Sequence, residues 1–465
     1  MNASNTSEFT NTLYTNDNLF VLSGLNSNLV DLIYLDPPFN TKRMYSAPIG
    51  SKAAGTSFKD MWTWQDVNEA YLDTLAGNYP SLTKFIASVG NIHSKAMMAY
   101  LTYMAQRIIE MHRVLKETGS LYLHCDTTAS HYLKILVDEI FGKNNFRNEI
   151  SWRRNTSHSD AVGYGRVRDV IFFYTKSKNA VWNDVYQKYE DEYIEQYYKY
   201  KDNHGRRWMS DNLSASGLAG GGYTYEWKGH TKLWRCPIET MRKLEEEGKI
   251  YYTKNGIARR KRYLDEAKGI PAQDDWYDVQ ALRSWHKERT GYPTQKPLAL
   301  LRRIIEASSN VGDIVFDPFC GCATTCVAAQ QLGRKWIGID IEKQAVSILI
   351  ERLSDDAGLF KNFTNTTIAP QRTDIEIELP SVSVKERLYK EQNSLCNACG
   401  TKFDIWNLEI DHIIPKAKGG GDYYENYQLL CGSCNKIKGD RPMEYLRLKI
   451  KTREELLANK IIFGE

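Results

Sequence analysis

The stretch that decides the fold runs from residue 313 to residue 340 and reads DIVFDPFCGCATTCVAAQQLGRKWIGID. Residues 313–316 and 335–340 are mostly apolar, which is typical of buried strands, and the segment through Val327-Ala328-Ala329 predicts a helix between them. A strand, a helix and a second strand in this order favour a parallel α/β sheet.

The same alternation extends outward on both sides of this stretch. Residues 297–308 are helix-like, and far upstream residues 30–35 predict a buried strand that stops at two prolines, which cannot continue strand pairing. Apolar residues recur at helical spacing over residues 97–115, and residues 121–123 form another short apolar run. We expect both blocks to share one sheet.

Composition excludes several classes of protein. The 465 residues are 42% hydrophobic and 25% charged, which is ordinary for a globular protein and excludes disordered, collagen-like and membrane classes. No apolar run approaches about 18 residues, and residues 1–17 lack a basic region followed by an apolar core. The sequence therefore predicts no membrane span and no signal peptide, and a cytoplasmic protein from a prokaryotic cell or a phage.

Charge is informative only locally. The net charge of +4 permits a polyanionic partner without requiring one, but residues 147–290 carry 27 Lys and Arg against 21 Asp and Glu. This aromatic-rich region contains the run Arg259-Arg260-Lys261-Arg262, which either contacts phosphate or is a solvated run of charges.

The turn that opens at Asp317 is a candidate cofactor site. It lies where a strand becomes a helix, which is where open α/β sheets bind ligands, and Asp340 ends the next strand, where it can accept hydrogen bonds from ribose. The GxGxxG fingerprint is absent, and a carboxylate at Asp317 would repel pyrophosphate but attract a sulfonium. S-adenosylmethionine is therefore favoured over a nicotinamide cofactor, and a tight turn without any ligand is the remaining alternative.

Three motifs resemble those of amino-group DNA methyltransferases of the permuted β group. Asp36-Pro37-Pro38-Phe39 is similar to their catalytic motif, residues 317–321 to their S-adenosylmethionine motif, and residues 294–297 to the segment before it. The resemblance covers about residues 12–355 and departs from the family at Ala323, which replaces a glycine, and at Cys322. It implies a Rossmann-like sheet, double-stranded DNA as partner, and a homodimer. The predicted cofactor-binding residues are Asp17, Lys296, Asp317, Phe319, Gly321, Ala323, Thr324 and Asp340.

The catalytic motif suits the chemistry that the resemblance implies. An exocyclic amine is a poor nucleophile, and Asp36 and the Pro37 carbonyl can accept both of its hydrogens and orient the nitrogen. Pro38 helps to keep these acceptors rigid, and the Phe39 ring offers a face on which a flipped base can stack. In this family an aspartate at the first position indicates adenine N6, whereas serine is commoner for cytosine N4.

The C-terminal part contains two Cys-x-x-Cys pairs, Cys396/Cys399 and Cys431/Cys434. This spacing predicts a tetrahedral structural Zn²⁺ site, which would stabilise a module too small for a large core. His412 lies between the pairs and is not needed as a zinc ligand.

This module resembles the HNH (ββα-metal) nucleases over about residues 388–442. The resemblance implies that His412 is the general base, that Asn426 orients its loop, and that Asp411 and Asn435 hold one Mg²⁺. Asn435 stands where many members of the family carry histidine.

The sequence therefore predicts a two-part enzyme. We expect methyltransferase segments at 1–146 and 291–360, a target-recognition region at 147–290, a linker at 361–384 and an HNH domain at 385–465. The expected function combines site-specific adenine N6 methylation with Mg²⁺-dependent cleavage in a single restriction-modification chain. The alternatives are a lone methyltransferase, for adenine N6 or cytosine N4, whose tail only binds DNA, and a nuclease that requires methylated DNA.

Overall fold

The computed structural model describes residues 11–39, 43–46, 57–60, 75–155, 162–215, 222–283, 285–357, 363–374 and 384–452. The first ten residues, on which the expected absence of a signal peptide partly rests, lie outside this description, as does part of the expected linker. The chain divides into two compact units, of which the second comprises Asp184–Gln273 and the first comprises the rest. None of the described helices is both long enough and apolar enough to cross a membrane.

The strands and helices follow in chain order. The strands are β1 (Thr12–Thr15), β2 (Val30–Leu35), β3 (Arg43–Ser46), β4 (Ser57–Asp60), β5 (Leu115–Cys125), β6 (Phe146–Arg153), β7 (Arg168–Thr175), β8 (Tyr186–Gln187), β9 (Tyr200–Lys201), β10 (Arg207–Asn212), β11 (Tyr223–Trp227), β12 (His230–Trp234), β13 (Ile250–Tyr252), β14 (Ala258–Tyr263), β15 (Ile270–Pro271), β16 (Asp275–Trp276), β17 (Ile314–Asp317), β18 (Lys335–Asp340), β19 (Thr364–Thr366), β20 (Leu408–His412) and β21 (Tyr427–Cys431). The helices are α1 (Asn18–Gly24), α2 (Pro80–Ile92), α3 (Lys95–Val114), α4 (Ser130–Phe141), α5 (Asp191–Tyr197), α6 (Ile238–Glu246), α7 (Leu298–Ser308), α8 (Thr324–Gln331), α9 (Lys343–Ala357), α10 (Val384–Glu391) and α11 (Gly432–Lys438).

The main sheet has the strand order β16-β6-β7-β5-β2-β17-β18-β1-β19. The strands from β5 to β19 in this order pair in parallel, which confirms that the two predicted blocks share one sheet. β7 runs antiparallel to both β5 and β6, so the sheet is mixed rather than purely parallel. Because the parallel strands end at the same edge, the residues that follow β1, β2, β17 and β18 lie close together.

Helices cover both faces of this sheet, as buried parallel strands require. On one face, α1, α2, α3 and α4 pack in a cluster with alternate residues of β2 and β5, including Ile33 and Leu123. On the other face, α7, α8 and α9 pack against the intervening residues of the same strands, such as Leu32 and Tyr122. The alternation of side chains along each strand therefore supplies two cores.

The structure divides residues 147–290, which the sequence predicts to be a target-recognition region, between the two compact units. β6, β7 and β16 belong to the main sheet, whereas the separate unit is Asp184–Gln273. This unit has a four-stranded sheet, β13-β14-β10-β9, and a small core around Trp227 and Trp234. The irregular composition of residues 147–183 thus conceals two sheet strands.

Part of the expected linker also belongs to the sheet. β19 pairs with β1 and forms one edge, and beyond it the Thr373 backbone N–H donates to Asn26 Oδ1 at 2.7 Å. Asp374 accepts from the Ser27 backbone N–H at 2.8 Å. The segment 363–374 is polar because it covers a sheet edge and the end of α1.

The C-terminal module has the predicted ββα form. β20 and β21 pair antiparallel, α11 follows directly, and the core includes Leu408, Leu429 and Met443. A Cβ built at Gly419, in the loop after β20, would lie 3.3 Å from Ala369 Cβ and 3.6 Å from Phe20 Cβ, and the Tyr423 hydroxyl is hydrogen-bonded to Ser23. The loop of this module therefore packs against α1.

Candidate active sites

Asp36 lies directly after the fully buried strand β2, in the position that the sequence predicts. Its Oδ2 forms an ion pair with Lys296 Nζ, and its Oδ1 is buried without a hydrogen-bond partner among the described residues. Lys296, predicted to bind the cofactor, thus contacts the carboxylate that the sequence predicts to be catalytic. A buried acceptor without a donor costs free energy, so Oδ1 is prepared to accept a hydrogen bond from a ligand.

A cavity of about 1030 Å³ opens beside Asp36 at the carboxyl edge of the sheet. It brings together the catalytic motif and the predicted cofactor residues with one exception, because Ala323 does not line it. The predicted residues that line it are Asp17, Asp36, Pro37, Pro38, Phe39, Lys296, Asp317, Phe319, Gly321, Thr324 and Asp340. Arginines that the sequence did not single out complete its lining, namely Arg154, Arg166, Arg168 and Arg289.

Two buried carboxylates define the cofactor end of the cavity. Burial raises the pKa of Asp317 to about 7, although its oxygens accept hydrogen bonds from Phe319 N at 3.0 Å and Thr325 Oγ1 at 2.5 Å. Burial also raises the pKa of Asp340 to about 6, and this carboxylate accepts from the backbone N–H groups of Gly321 and Glu342. A cationic ligand near these groups would favour their ionised forms.

The turn between these carboxylates has left-handed backbone. Gly321 has φ +51°, and a Cβ there would lie 3.0 Å from the Tyr292 ring, so glycine is favoured at this position. Ala323 also has a positive φ, +57°, and is fully buried where α8 begins. The alanine at the position of the family glycine therefore adopts the left-handed backbone conformation that glycine adopts easily, and this conformation is strained for alanine.

Asp17 lines the cavity and also caps α1. It accepts from the Leu19 backbone N–H at 2.8 Å and forms an ion pair with Arg107 at 3.2 Å. Arg107 donates in addition to Asn18 Oδ1, and Asn18 Nδ2 donates to the Pro318 carbonyl at 2.9 Å. Arg107 and Asn18 therefore connect the Asp17 turn to the Asp317 turn. The sequence contains one indication of this connection, because Arg107 interrupts the apolar stripe of α3.

The four cysteines of the C-terminal module form one cluster. The Sγ atoms of Cys396, Cys399, Cys431 and Cys434 all lie within 4.8 Å of one another. Four thiolates about 2.3 Å from a Zn²⁺ ion would be separated by roughly 3.8 Å, so the cluster fits a tetrahedral zinc site after small adjustments.

His412 ends β20, and its Nε2 lies 2.7 Å from Asp422 Oδ1. Asp422 also accepts from Lys416 Nζ at 2.6 Å and from the Tyr427 hydroxyl at 3.0 Å, and these partners, Lys416 foremost, lower its pKa to about 2. Asp422 was not predicted from the sequence, where it follows three glycines in an otherwise unremarked loop. It fixes the orientation of the His412 ring.

Asn426 forms the contacts expected of a residue that orients the His412 loop. Its side chain donates to the carbonyls of Ile414 and Gly421 and accepts from the Ile414 backbone N–H at 2.8 Å. The side chain is 2% exposed, so these hydrogen bonds are buried, where they are stronger than in water.

The predicted magnesium ligands face different partners. Asp411 forms a buried ion pair with Lys438 at 3.0 Å and also accepts from Gln428 Nε2 at 2.8 Å. Asn435 Nδ2 instead donates to Glu409 Oε2 at 2.6 Å. Their oxygen donors suit Mg²⁺, but the ion would compete with Lys438 for Asp411.

Comparisons with known proteins show to which family the sequence belongs. A family model described as DNA methylase matches residues 30–351, and one described as HNH endonuclease matches residues 396–441. The type II methyltransferase M.EcaI from Enterobacter cloacae is 33% identical over 300 residues, which cover 63% of this chain and 66% of that protein. The type III restriction-modification enzyme StyLTI Mod subunit from Salmonella typhimurium is 30% identical over 346 residues, which cover 70% of this chain and 50% of that protein.

The chain thus spans two thirds or less of the length of these curated relatives. Among solved structures, TTHA0409, a DNA modification methylase from Thermus thermophilus complexed with S-adenosyl-L-methionine, is 16% identical with a TM-score of 0.38, and the match covers 76% of this chain and 97% of that one. Because the DNA methylase model matches well over half of the sequence, this chain belongs to the N6/N4 DNA methylase family, and it carries an HNH endonuclease domain at its C-terminal end.

Proposed function

We propose that the chain is a site-specific DNA adenine N6-methyltransferase that uses S-adenosylmethionine. The observation that carries the proposal is that Oδ1 of Asp36, at the edge of the cavity, has no hydrogen-bond partner within the described part of the chain. In the proposed complex this oxygen and the Pro37 carbonyl accept the two hydrogens of the target amine, which orients the nitrogen for attack. Lys296 holds the other carboxylate oxygen and so fixes the direction of the first.

The cofactor supplies an electrophilic methyl group on a cationic sulfonium. The buried carboxylates of Asp317 and Asp340 suit that positive charge and a ribose, and left-handed Gly321 lets the backbone approach the ligand closely. In the proposed complex Asp17, held by Arg107, accepts a hydrogen bond from the adenine of the cofactor. Phe39 provides the surface on which the flipped target base stacks.

The identity of the target amine is tested by the product. Purified protein would be incubated with unmethylated genomic DNA and S-adenosylmethionine, and the DNA would be digested to nucleosides for mass spectrometry. We expect N6-methyladenine; N4-methylcytosine would instead establish the second activity that the family permits. Asp36→Ala should abolish the product while the dissociation constant for S-adenosylmethionine changes by less than about twofold, since this residue acts on the amine. A variant that still methylates would refute the role of Asp36.

We also propose that the HNH domain cleaves DNA with Mg²⁺. His412 takes the proton of the attacking water, and Asp422 and Asn426 hold its ring and loop. Asp411 and Asn435 would hold the ion, which supplies charge stabilisation at the scissile phosphate. The charge on Asp411 is already met by Lys438, so the ion would have to displace the lysine from this carboxylate.

The cleavage proposal predicts nicked or linear plasmid when the protein and Mg²⁺ are present. Four reactions would compare unmethylated and premethylated plasmid, each with and without S-adenosylmethionine. Cutting of unmethylated DNA alone supports a restriction-modification protein in which methylation protects the site, whereas cutting of methylated DNA alone supports a methylation-dependent nuclease. Intact plasmid in all four reactions would leave only a DNA-binding role for the tail.

The proposed partner is double-stranded DNA, bound in the cytoplasm of a prokaryotic cell or in a phage-infected cell. The four arginines that line the cavity can contact phosphate beside a flipped base. In the basic run, Arg259 bonds Ser210, Lys261 bonds the Gly248 carbonyl and Arg262 pairs with Asp211, which favours a role within the unit for three of its four charges. The family resemblance also leads us to propose a homodimer, which light scattering would test.

A further inference from the structure

A chain of hydrogen bonds lies buried behind the catalytic motif. The Tyr34 hydroxyl lies 3.0 Å from His124 Nδ1, and His124 Nε2 lies 3.2 Å from Asp169 Oδ2. These residues come from the neighbouring strands β2, β5 and β7, and none is more than 2% exposed. Three polar side chains in the core of a sheet are expensive to bury unless they are paired, and these three are paired with one another.

The partners determine which nitrogen of His124 carries its proton. Burial raises the pKa of Asp169, but its hydrogen bond with His124 and the nearby positive charges of Lys296 and Arg154 together lower it more, so the net pKa lies below its ordinary value. An ionised carboxylate only accepts hydrogen bonds, so Nε2 donates to Asp169, and in the neutral imidazole Nδ1 is then the acceptor for the Tyr34 hydroxyl. The tyrosine remains a donor because burial raises its pKa well above the ordinary value. The imidazole is therefore held at both ends and cannot rotate without losing a bond.

The catalytic motif packs on this fixed ring. The centroid of Phe39 lies 6.0 Å from that of His124 with an interplanar angle of 21°, so the two rings are stacked. The Trp152 ring meets His124 edge-on at 5.5 Å. Phe39 lines the cavity beside Asp36, and its ring is the surface proposed above for the target base. A rotation of the imidazole would therefore tilt the plane of Phe39.

We propose that His124 is a positioning residue for methyl transfer. Its ring, held by Tyr34 and Asp169, sets the plane of Phe39 and through it the angle at which the flipped base presents its amine to the cofactor. This inference rests on the proposed function, because it requires that a base stack on Phe39. Misplacement of reacting groups by about 1 Å can cost a factor of roughly one hundred in rate, so a small tilt has a measurable effect.

The chain offers a matched pair of variants to test this inference. Tyr34→Phe removes one buried hydroxyl and its bond to His124, whereas Tyr122→Phe removes another buried hydroxyl, which bonds Ser308 at 2.8 Å. Tyr122 lies two residues before His124 on β5, packs on Phe173 and does not line the cavity. The two substitutions should cost similar stability, so a difference in rate does not report on folding. Tyr34 lines the cavity whereas Tyr122 does not, so the rate difference reports on positioning only where the ligand affinities are unchanged.

Single-turnover methyl transfer would be measured with the unmethylated genomic DNA that the wild type methylates, together with the affinities for that DNA and for S-adenosylmethionine. We expect His124→Leu to be slower by at least about tenfold and Tyr34→Phe by about threefold, with both affinities within about twofold of wild type. Tyr122→Phe should keep the wild-type rate.

Three results would overturn the inference. They are an unchanged rate in His124→Leu, equal rates in the two tyrosine variants, and a loss of cofactor affinity as large as the loss of rate. Each would leave the proposed function intact, because that function fails only if the wild type transfers no methyl group to DNA.

Discussion

Asp317 gives the sharpest prediction because one substitution should make the protein more stable and its cofactor site weaker. The carboxyl is 3% exposed, and its pKa is raised from 3.8 to about 7 by burial. Between these two values the folded state holds a proton that the unfolded state has lost, so stability falls as the pH rises from about 4 to 7. Asp317→Asn removes this dependence because the amide does not ionise.

The size of the effect follows from the two pKa values. A difference of about three units at roughly 1.4 kcal/mol per unit gives a gain of about 4 kcal/mol for the variant at pH 8, and about 2 kcal/mol at pH 5. The substitution should be tolerated, since the introduced amide could accept from Phe319 N and donate to Thr325 Oγ1, the two groups that now bond the carboxylate. The loss of the negative charge should weaken S-adenosylmethionine binding by at least about tenfold.

Urea denaturation without cofactor at pH 5 and pH 8, together with calorimetric titration of S-adenosylmethionine, would measure both effects. The reasoning would be refuted by a variant that gains no stability at pH 8, or whose gain is the same at both pH values. Unchanged cofactor affinity would refute the assignment of Asp317 to the sulfonium while leaving the stability argument in place.

Four further substitutions test other parts of the molecule. Lys296→Met should lower the turnover number for methylation by at least about tenfold with little change in S-adenosylmethionine affinity, because the lysine orients Asp36; a change confined to affinity would restore its predicted cofactor role. Ala323→Gly should raise the free energy of unfolding by about 1 kcal/mol in urea titrations, since it relieves a left-handed alanine, and a lower value would contradict that strain. His412→Ala should abolish plasmid cleavage while methylation and zinc content stay at wild-type values; normal cutting would mean that another residue is the base. Cys434→Ser should lose the zinc ion in elemental analysis, and a retained ion would contradict the four-thiolate site.

The sequence was informative where a function depends on a contiguous motif. Asp36 and Asp317 each stand at the end of an apolar run, and their placement at one sheet edge follows from the rule that parallel strands end together. Local patterns also predicted β2, α3 and β18 almost to the residue. These predictions needed no knowledge of which strands are neighbours.

Features that depend on pairing between distant segments could not be predicted in this way. His124 and Asp169 are 45 residues apart, and Arg107 reaches Asp17 across 90, so only the strand order and helix packing bring these pairs together. The region after residue 146 was expected to be a separate domain because its composition is irregular, yet β6 and β7 extend the main sheet. Asp422 was not predicted because its role follows from its contact with the His412 ring, which the sequence does not show.

The contact between α1 and the loop that contains Gly419 limits how freely the two enzymatic modules can be exchanged. Gly419 has φ +88° and lies close to Phe20 and Ala369, so a side chain at this position would need both unfavourable backbone and space that is already filled. A nuclease module transplanted from another protein would therefore fit best with a glycine here, because any other residue would need a left-handed backbone and a small shift of Ala369. The same requirement applies to chimaeras built in the laboratory and to natural gene fusions. In both cases the new module must fit the surface of α1, a helix of seven residues.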